Sequence, residues 1–233
     1  MPYLGLAWWI EGQFLPAVMM LRDFISRNLL PAFGGVEEEV ERVRSEARER
    51  LSVSADPDRD DWGDLSERAY DAGITYHEEA MGARQGVLNL FAVAIYHQFE
   101  QHQVTLMRRE LTAALGDNDV PNVSEFAALV LKKSAIDVTG FSEWPKLDEL
   151  RLVANVVKHA EGRASSELEN IRPDMFRHPL IRNEPLFFRS KTRRQVFGPL
   201  SGQDLYVTEV DLDGYFEAII GFWQRLSITP KRS

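Results

Sequence analysis

Apolar side chains recur every three or four residues along most of the chain, and this spacing predicts helices rather than strands. An apolar run near the N-terminus predicts a buried helix over about residues 7–30, ended by "PAFGG". The next segment, "VEEEVERVRSEARERL", is apolar only along a narrow seam, which is typical of an exposed helix resting one edge on a neighbour. Helical spacing then returns in four places: from Leu65 to about Leu115, after Ser124, between Pro145 and Gly162, and from Asp211 onward.

Two segments lack this spacing. Residues 52–64 contain "SADPDRDDWGD", whose proline, glycine and aspartates predict an acidic surface loop. Residues 172–210 are interrupted by proline and hold two short extended candidates, "PLFFR" and "DLYVTEV", which can pair as a small hairpin. We therefore predict an all-α fold: one helical bundle over residues 1–233, with an irregular basic insertion before its last helix.

The helix between Pro145 and Gly162 has a single polar face. Since successive helical residues rotate by about 100°, five polar residues share one arc of roughly a third of the circumference: Asp148, Arg151, Asn155, Lys158 and His159. Almost every other residue of the helix is Leu, Val or Ala. One interpretation is a solvated stripe in which Asp148 pairs with Arg151. The other is a functional site, because Asn is a poor helix former and Asn and His suit specific hydrogen bonding.

One residue of this helix, Glu149, falls outside the polar arc. We expect its carboxylate to lie in the first helical turn, where the helix dipole favours negative charge.

A second polar stripe runs along "GVLNLFAVAIYHQFEQHQV", where Asn89, Tyr96, Glu100 and Gln103 share one face and His97 lies at its margin. Burying the carboxylate of Glu100 without a partner would be costly. We expect it to point to water or to meet a cation, with Arg151 and His159 as the candidates; both alternatives remain open.

Charge is unevenly distributed. The net charge of −9 argues against non-specific binding to nucleic acid, because the whole molecule repels phosphate. Residues 172–194 nevertheless hold seven Arg or Lys against two acidic residues. Four of these, with two phenylalanines nearby, are candidate contacts to single-stranded RNA: Arg189, Lys191, Arg193 and Arg194. The alternative is a solvated loop that balances an acidic body.

The composition also bears on compartment. The chain has no cysteine, which excludes disulfides and thiolate metal sites and suits the cytoplasm. The apolar N-terminus carries Glu11 and Pro16 and lacks a basic start, so we expect neither a signal peptide nor a membrane span.

The string "RLVANVVKHAEG" resembles the HEPN superfamily of helical domains, in which an Arg, a polar residue such as Asn, and a His share a helix face. It is similar to the "N-x-x-K-H-x-x-G" helix end of some HEPN-like bacterial proteins. Seven residues separate Arg151 from His159, where the family has four to six, and Asn155 follows Arg151 by four residues rather than one. The resemblance covers about fifteen residues.

This resemblance implies a metal-independent ribonuclease without a cofactor, of a bacterial toxin or phage-defence system, with its site formed where two copies meet. His159 would act as base or acid, Arg151 would stabilise the phosphorane, and Asn155 would orient the reacting groups. Lys158 could hold a neighbouring phosphate. Tyr96, His97 and Glu100 on the other polar helix are supporting candidates. A homodimer, an RNA substrate and a protein partner are the expected associations.

Two other functions compete with this one. The first is a non-catalytic adaptor or immunity protein that uses the polar stripe as a dimer or partner interface. The second is a helical metal enzyme, with its ligands drawn from His77, Glu78, His97, Glu100 and His102. Di-metal bundles need a Glu-x-x-His pair from each of two helices, whereas the order here is His97-x-x-Glu100 with no second copy. The sequence therefore predicts no metal site.

Overall fold

Helices form the regular structure of the computed structural model, which describes residues 4–56, 60–111, 122–182 and 195–229. The α-helices are α1 (Leu4–Trp9), α2 (Leu15–Phe24), α3 (Val36–Ser54), α4 (Trp62–Leu106), α5 (Phe126–Ser134), α6 (Trp144–His159), α7 (Arg163–Ile171) and α8 (Glu209–Ile228). Short 3-10 and π turns connect or extend them. No strand occurs within these described residues, so the all-α prediction is confirmed.

The N-terminal helix is amphipathic rather than wholly buried. A π turn, Ile10–Phe14, joins α1 to α2, and a second, Ile25–Leu29, extends α2 to about the predicted end. One face is buried, at Ile10, Phe14, Val18 and Ile25, while the opposite side exposes Trp8, Met19, Met20 and Phe24. Within the described ranges, no helix is long and apolar enough to cross a bilayer.

Helix α4 is 45 residues long, which corresponds to about 68 Å. Its glycines do not interrupt the helix. Two of them, Gly73 and Gly86, allow neighbouring segments to pack closely against it. A Cβ on Gly86 would lie 2.2 Å from the carbonyl oxygen of Leu200, and one on Gly73 would lie 2.6 Å from Cγ of Arg44. The first half of α4 therefore packs against α3, and the second half packs against the segment before α8.

The acidic loop is shorter than predicted, since α3 continues to Ser54 and α4 begins at Trp62. The hydroxyls of Ser52 and Ser54 donate back to carbonyls of the preceding turn, which keeps the end of α3 helical. Asp61 then starts α4, because its carboxylate accepts a hydrogen bond from the Gly63 amide at 2.7 Å.

The core is a continuous cluster contributed by α2, the second half of α4, α5, α6 and α8. Aromatic rings from α8 hold its centre: Phe222 meets Phe99 of α4 edge-on at 5.3 Å, and Trp223 lies 5.0 Å from Phe14. Helix α6 passes through this cluster and is buried on most of its circumference. The polar face of α6 is thus displayed by a rigid, well-packed element.

The segment before α8 is irregular, as predicted, but contains no hairpin in its described part. Residues 204–208 have no strand partner, and "PLFFR" (185–189) lies outside the described residues. The side chain of Asn89, on α4, holds the backbone of this segment in place. Its amide donates to the carbonyls of Pro199 and Leu205 at 2.6 and 2.8 Å, and its oxygen accepts from the Val207 amide at 3.1 Å. A side chain supplies the hydrogen bonds that a second strand would have supplied.

Helix α8 begins at Glu209, two residues before the predicted Asp211. The Thr208 hydroxyl accepts from the Asp211 amide at 3.1 Å, and the Asp211 carboxylate accepts from the Thr208 amide at 3.0 Å. This reciprocal pair is a capping box, with Asp in the position usually taken by Glu.

The expectation for Glu149 was wrong. Its carboxylate is buried and accepts hydrogen bonds from Arg172 at 2.5 Å, from Lys146 at 2.7 Å and from the Tyr215 hydroxyl at 2.8 Å. Arg172 also binds Asp211 at 2.8 Å. The network joins α6, the turn after α7 and α8, so the carboxylate is held by cations of neighbouring elements rather than by the helix dipole.

Candidate functional site

The polar arc predicted for α6 is the side of this helix that the core leaves open. Asp148, Lys158 and His159 are exposed, and Arg151 and Asn155 are half-buried. The remaining residues from Leu147 to Val157 are buried: Leu147, Glu149, Leu150, Leu152, Val153, Ala154, Val156 and Val157. The predicted division of the helix into a polar arc and a covered remainder is confirmed.

Arg151 has an ion-pair partner on its own helix. Its Nε donates to the Asp148 carboxylate at 2.7 Å, one helical turn away. Burial lowers the pKa of Arg151, but the hydrogen bond and charge of Asp148 raise it by more, so the guanidinium stays charged. The pairing expected for a solvated stripe is therefore present, and within the described residues the terminal Nη groups of Arg151 form no hydrogen bond or ion pair.

The second polar stripe faces α6 as expected, through the C-terminal half of α4. Tyr96, Glu100 and Gln103 line an open pocket of about 470 Å³ whose other side is formed by Asp148 and Arg151. Burial and the neighbouring Glu100 carboxylate raise the pKa of Tyr96, which keeps its hydroxyl protonated. Asn89, the fourth member of the stripe, lies two turns away and holds the segment before α8.

Glu100 does not pair with either expected cation. Its nearest basic partner is His97, whose Nδ1 lies 3.4 Å from Oε2, one turn earlier on the same helix. The Glu100 side chain is 24 % exposed, and the Tyr96 hydroxyl is a further hydrogen-bonding neighbour of its carboxylate. This geometry agrees with the alternative in which Glu100 points to water rather than to Arg151 or His159.

Arg151, Asn155 and His159 form a row along α6. Successive members are four residues apart, and about 12 Å of helix axis separates the first from the last. The pocket ends at Arg151, and neither Asn155 nor His159 lines it. Lys158 reaches back toward α4, with Nζ 5.9 Å from the centre of the Tyr96 ring. One copy of the chain thus presents its three candidate groups side by side rather than around one cavity.

Sequence reasoning missed the apolar part of the pocket. Phe99 and Phe126 are buried at its base, and Trp144 is half-buried at its edge. Asn122 and Ser124 complete the wall from the turn before α5, where Asn122 accepts a hydrogen bond from the Ser124 amide at 3.0 Å. The sequence marks each aromatic as a core residue, and only the packing of three separate elements leaves a space between them.

The structure describes the basic segment, residues 172–194, only as far as residue 182. Arg189, Lys191, Arg193 and Arg194, the predicted RNA contacts, lie outside the described residues. The preceding arginines have structural roles. Arg172 holds Glu149 and Asp211, and Arg182 donates to the Tyr206 carbonyl at 2.7 Å. The first part of the predicted cationic patch is therefore used within the fold.

The residues of the metal-enzyme alternative do not come together as one cluster. In the described part of the chain, no group of three or more His, Asp or Glu side chains is placed to hold a metal ion. His77 approaches Glu37 of α3 at 3.8 Å, whereas His102 stacks on Phe14 at 4.3 Å in the core.

Comparisons with models of protein families, with curated proteins and with solved structures found no match to this chain.

Proposed function

We propose that the chain is a metal-independent endoribonuclease that cuts RNA on the polar face of α6, as the resemblance to HEPN domains implies. One observation carries the proposal: the open face of an otherwise buried helix presents Arg151, Asn155 and His159 next to a ligand-sized pocket. A rigid helix holds reacting groups in place better than a loop does.

The chemistry would follow the usual course of RNA cleavage without metal. The 2′-oxygen attacks the phosphorus while His159 accepts the proton of the 2′-hydroxyl. The bond to the 5′-oxygen breaks, and that oxygen takes a proton from water, giving a 2′,3′-cyclic phosphate and a 5′-hydroxyl. The planar guanidinium of Arg151 suits the developing charge on the phosphorane.

The row on α6 supports a two-fold homodimer. Asn155 lies midway between Arg151 and His159, four residues from each. If two copies pack α6 against α6 in antiparallel fashion about Asn155, each Arg151 lies opposite the His159 of the second copy. Two composite sites then form, and each can hold the charge stabiliser and the proton carrier that one copy keeps about 12 Å apart.

The first test is cleavage of single-stranded RNA by the full chain in EDTA. We expect the wild type to cut, and His159→Ala and Arg151→Ala to be slower by about 100-fold or more. His77→Ala, a partly exposed histidine on the far part of α4, is the matched control and should cut as the wild type does. A folded wild type that does not cut, or a His159→Ala variant that cuts equally well, contradicts the proposal.

The second test mixes the two inactive variants. In mixed dimers, one of the two composite sites is intact, so statistical mixing should restore about a quarter of wild-type activity. If each copy contains its own complete site, mixing restores nothing.

An adaptor role is the second candidate. The exposed apolar side chains of Trp8, Met19, Met20 and Phe24 favour it, because such side chains are typical of protein contacts. A folded dimer that binds a protein partner and leaves RNA intact would support this role. For either function we place the protein in the cytoplasm, which suits a chain without cysteine. The biological setting we propose is a bacterial toxin or phage-defence system.

A further inference from the structure

The pocket between α4, α5 and α6 combines aromatic walls with a few polar groups at its edge. Phe99 and Phe126 are 3 % and 1 % exposed and close its base, and Trp144 lies at its rim. Its volume of about 470 Å³ falls in the range of about 300–1,000 Å³ typical of small-ligand sites. Flat apolar surfaces of this kind favour a planar ligand that can stack.

The charge of the pocket disfavours an anionic ligand. Among the described residues that line it, Glu100 and Asp148 contribute two carboxylates and Arg151 contributes one guanidinium, so this lining carries one net negative charge. A phosphate placed inside would meet both carboxylates. The part of a ligand that enters the pocket is therefore planar and not an anion, which a nucleobase satisfies and the phosphate backbone does not.

The carboxylate of Glu100 selects among the bases. It is part of the pocket wall, where the Tyr96 hydroxyl is its hydrogen-bonding neighbour and its only ion-pair neighbour in the described residues is the long contact to His97. Two carboxylate oxygens can accept two parallel N–H donors. Guanine offers such a pair, N1–H and N2–H, whereas adenine, cytosine and uracil each place an acceptor next to their donor. Arg151 brings donors to the same pocket, and these suit O6 and N7 of guanine.

We propose that this pocket binds an unpaired guanine of the RNA next to the point of cleavage. The inference rests on the proposed ribonuclease function, since the guanine belongs to the strand that α6 would cut. Lys158 and His159 lie about two turns beyond Arg151 on the same face of α6. The phosphates that follow the bound base would therefore run toward them, outside the negative pocket.

The test measures binding of four 2′-O-methyl trinucleotides, ApGpA, ApApA, ApCpA and ApUpA, which resist cleavage, to the full chain by calorimetry. The indole N–H signal of Trp144, assigned with Trp144→Phe, reports in parallel whether the pocket is occupied. We expect ApGpA to bind at least about 10-fold tighter than the other three. Glu100→Gln, which replaces one acceptor oxygen with a donor, should weaken ApGpA binding by about 10- to 100-fold and leave the others within about two-fold. Glu79→Gln, an exposed carboxylate on α4, is the matched control.

Several results would overturn the inference: equal affinity for the four trinucleotides, no binding of any at millimolar concentration, or no effect of Glu100→Gln. Displacement of the Trp144 signal by arginine amide as readily as by ApGpA would instead indicate a pocket for a protein side chain. The two proposals fail separately. Guanine-dependent binding without cleavage in EDTA removes the nuclease and keeps the pocket, whereas cleavage that ignores guanine and Glu100→Gln removes the pocket and keeps the nuclease.

Discussion

His102 shows how burial changes the chemistry of a single residue. Its ring stacks on Phe14 at 4.3 Å and lies 6.2 Å from Trp223, inside the aromatic core. Its Nδ1 is buried and has no hydrogen-bond partner in the described residues. Burial disfavours the charged form and lowers the pKa of His102 to about 4. A histidine that the sequence offers as a metal ligand is therefore a neutral core residue.

This residue predicts a pH-dependent stability. The folded pKa of about 4 lies below the unfolded value of about 6.5, so the unfolded chain binds the proton first. The stabilisation is complete above pH 6.5 and is lost as the pH falls from 6.5 toward 4, by an amount on the order of 2–3 kcal/mol. Urea unfolding at pH 7.0 and pH 4.5 measures the loss.

His102→Phe keeps an aromatic ring and removes the titrating group, so it should abolish most of this loss. His97→Gln, which changes an exposed histidine on the same helix, should not. An equal loss in the wild type and His102→Phe would show that other groups control this pH range.

At the scale of elements, Asn89 of α4 holds the irregular segment before α8 in place. It is fully buried and is hydrogen-bonded to the backbone at three points of the segment before α8. Gln85 supports it by donating to its oxygen at 3.0 Å and to the Val207 carbonyl at 2.8 Å. An irregular segment can therefore lie on a helix because one amide satisfies its polar groups.

Asn89→Ala should destabilise the protein by about 3 kcal/mol or more, because two carbonyls and one amide lose their partner in a buried position. The free energy of unfolding in urea measures this effect. Gln101→Ala, which removes an exposed amide from the same helix, should change stability by less than about 0.5 kcal/mol. A comparably small effect of Asn89→Ala would mean that water replaces the amide without cost.

The ion network around Arg172 acts across elements in a similar way. The Arg172 guanidinium holds the pKa of the Asp174 carboxyl below its usual range, so this contribution to stability is present at neutral pH and is lost only below about pH 4. The pH range in which the Asp174 contribution is lost lies below the range in which the His102 contribution is lost. Measurements of stability at several pH values can therefore separate the two contributions.

At the scale of the whole molecule, α4 belongs to two environments. Its first half, with buried Leu65, Ala69 and Gly73, packs on α3, which buries only Val40 and Ala47. From Leu88 onward it is part of the main core. A helix buried on a thin seam opens more readily than one inside an aromatic cluster.

Hydrogen exchange should therefore divide α4. We expect amides of residues 66–80 to exchange about 10-fold or more faster than those of residues 88–104, although both halves are continuous helix. Mass spectrometry of deuterated peptides measures the difference, with α6 as the internal standard of core protection. Uniform protection along α4 would contradict a divided helix.

The sequence by itself determined most of the helices, because the 3.6-residue period of apolar side chains records which side of a helix meets the core. It did not indicate α7. It also determined that Asp148, Arg151, Asn155, Lys158 and His159 share the open arc of α6. Both are local properties of one element, and local geometry follows from local sequence.

Only the tertiary structure determined which polar residues are buried and which partners they contact. Glu149, Asn89 and Arg172 have ordinary surface side chains, and their burial depends on partners 23 to 118 residues away. The pocket exists because α4, α5 and α6 leave space between aromatic rings that each look like core in the sequence. Such contacts arise between elements, where the spacing within any one of them carries no information.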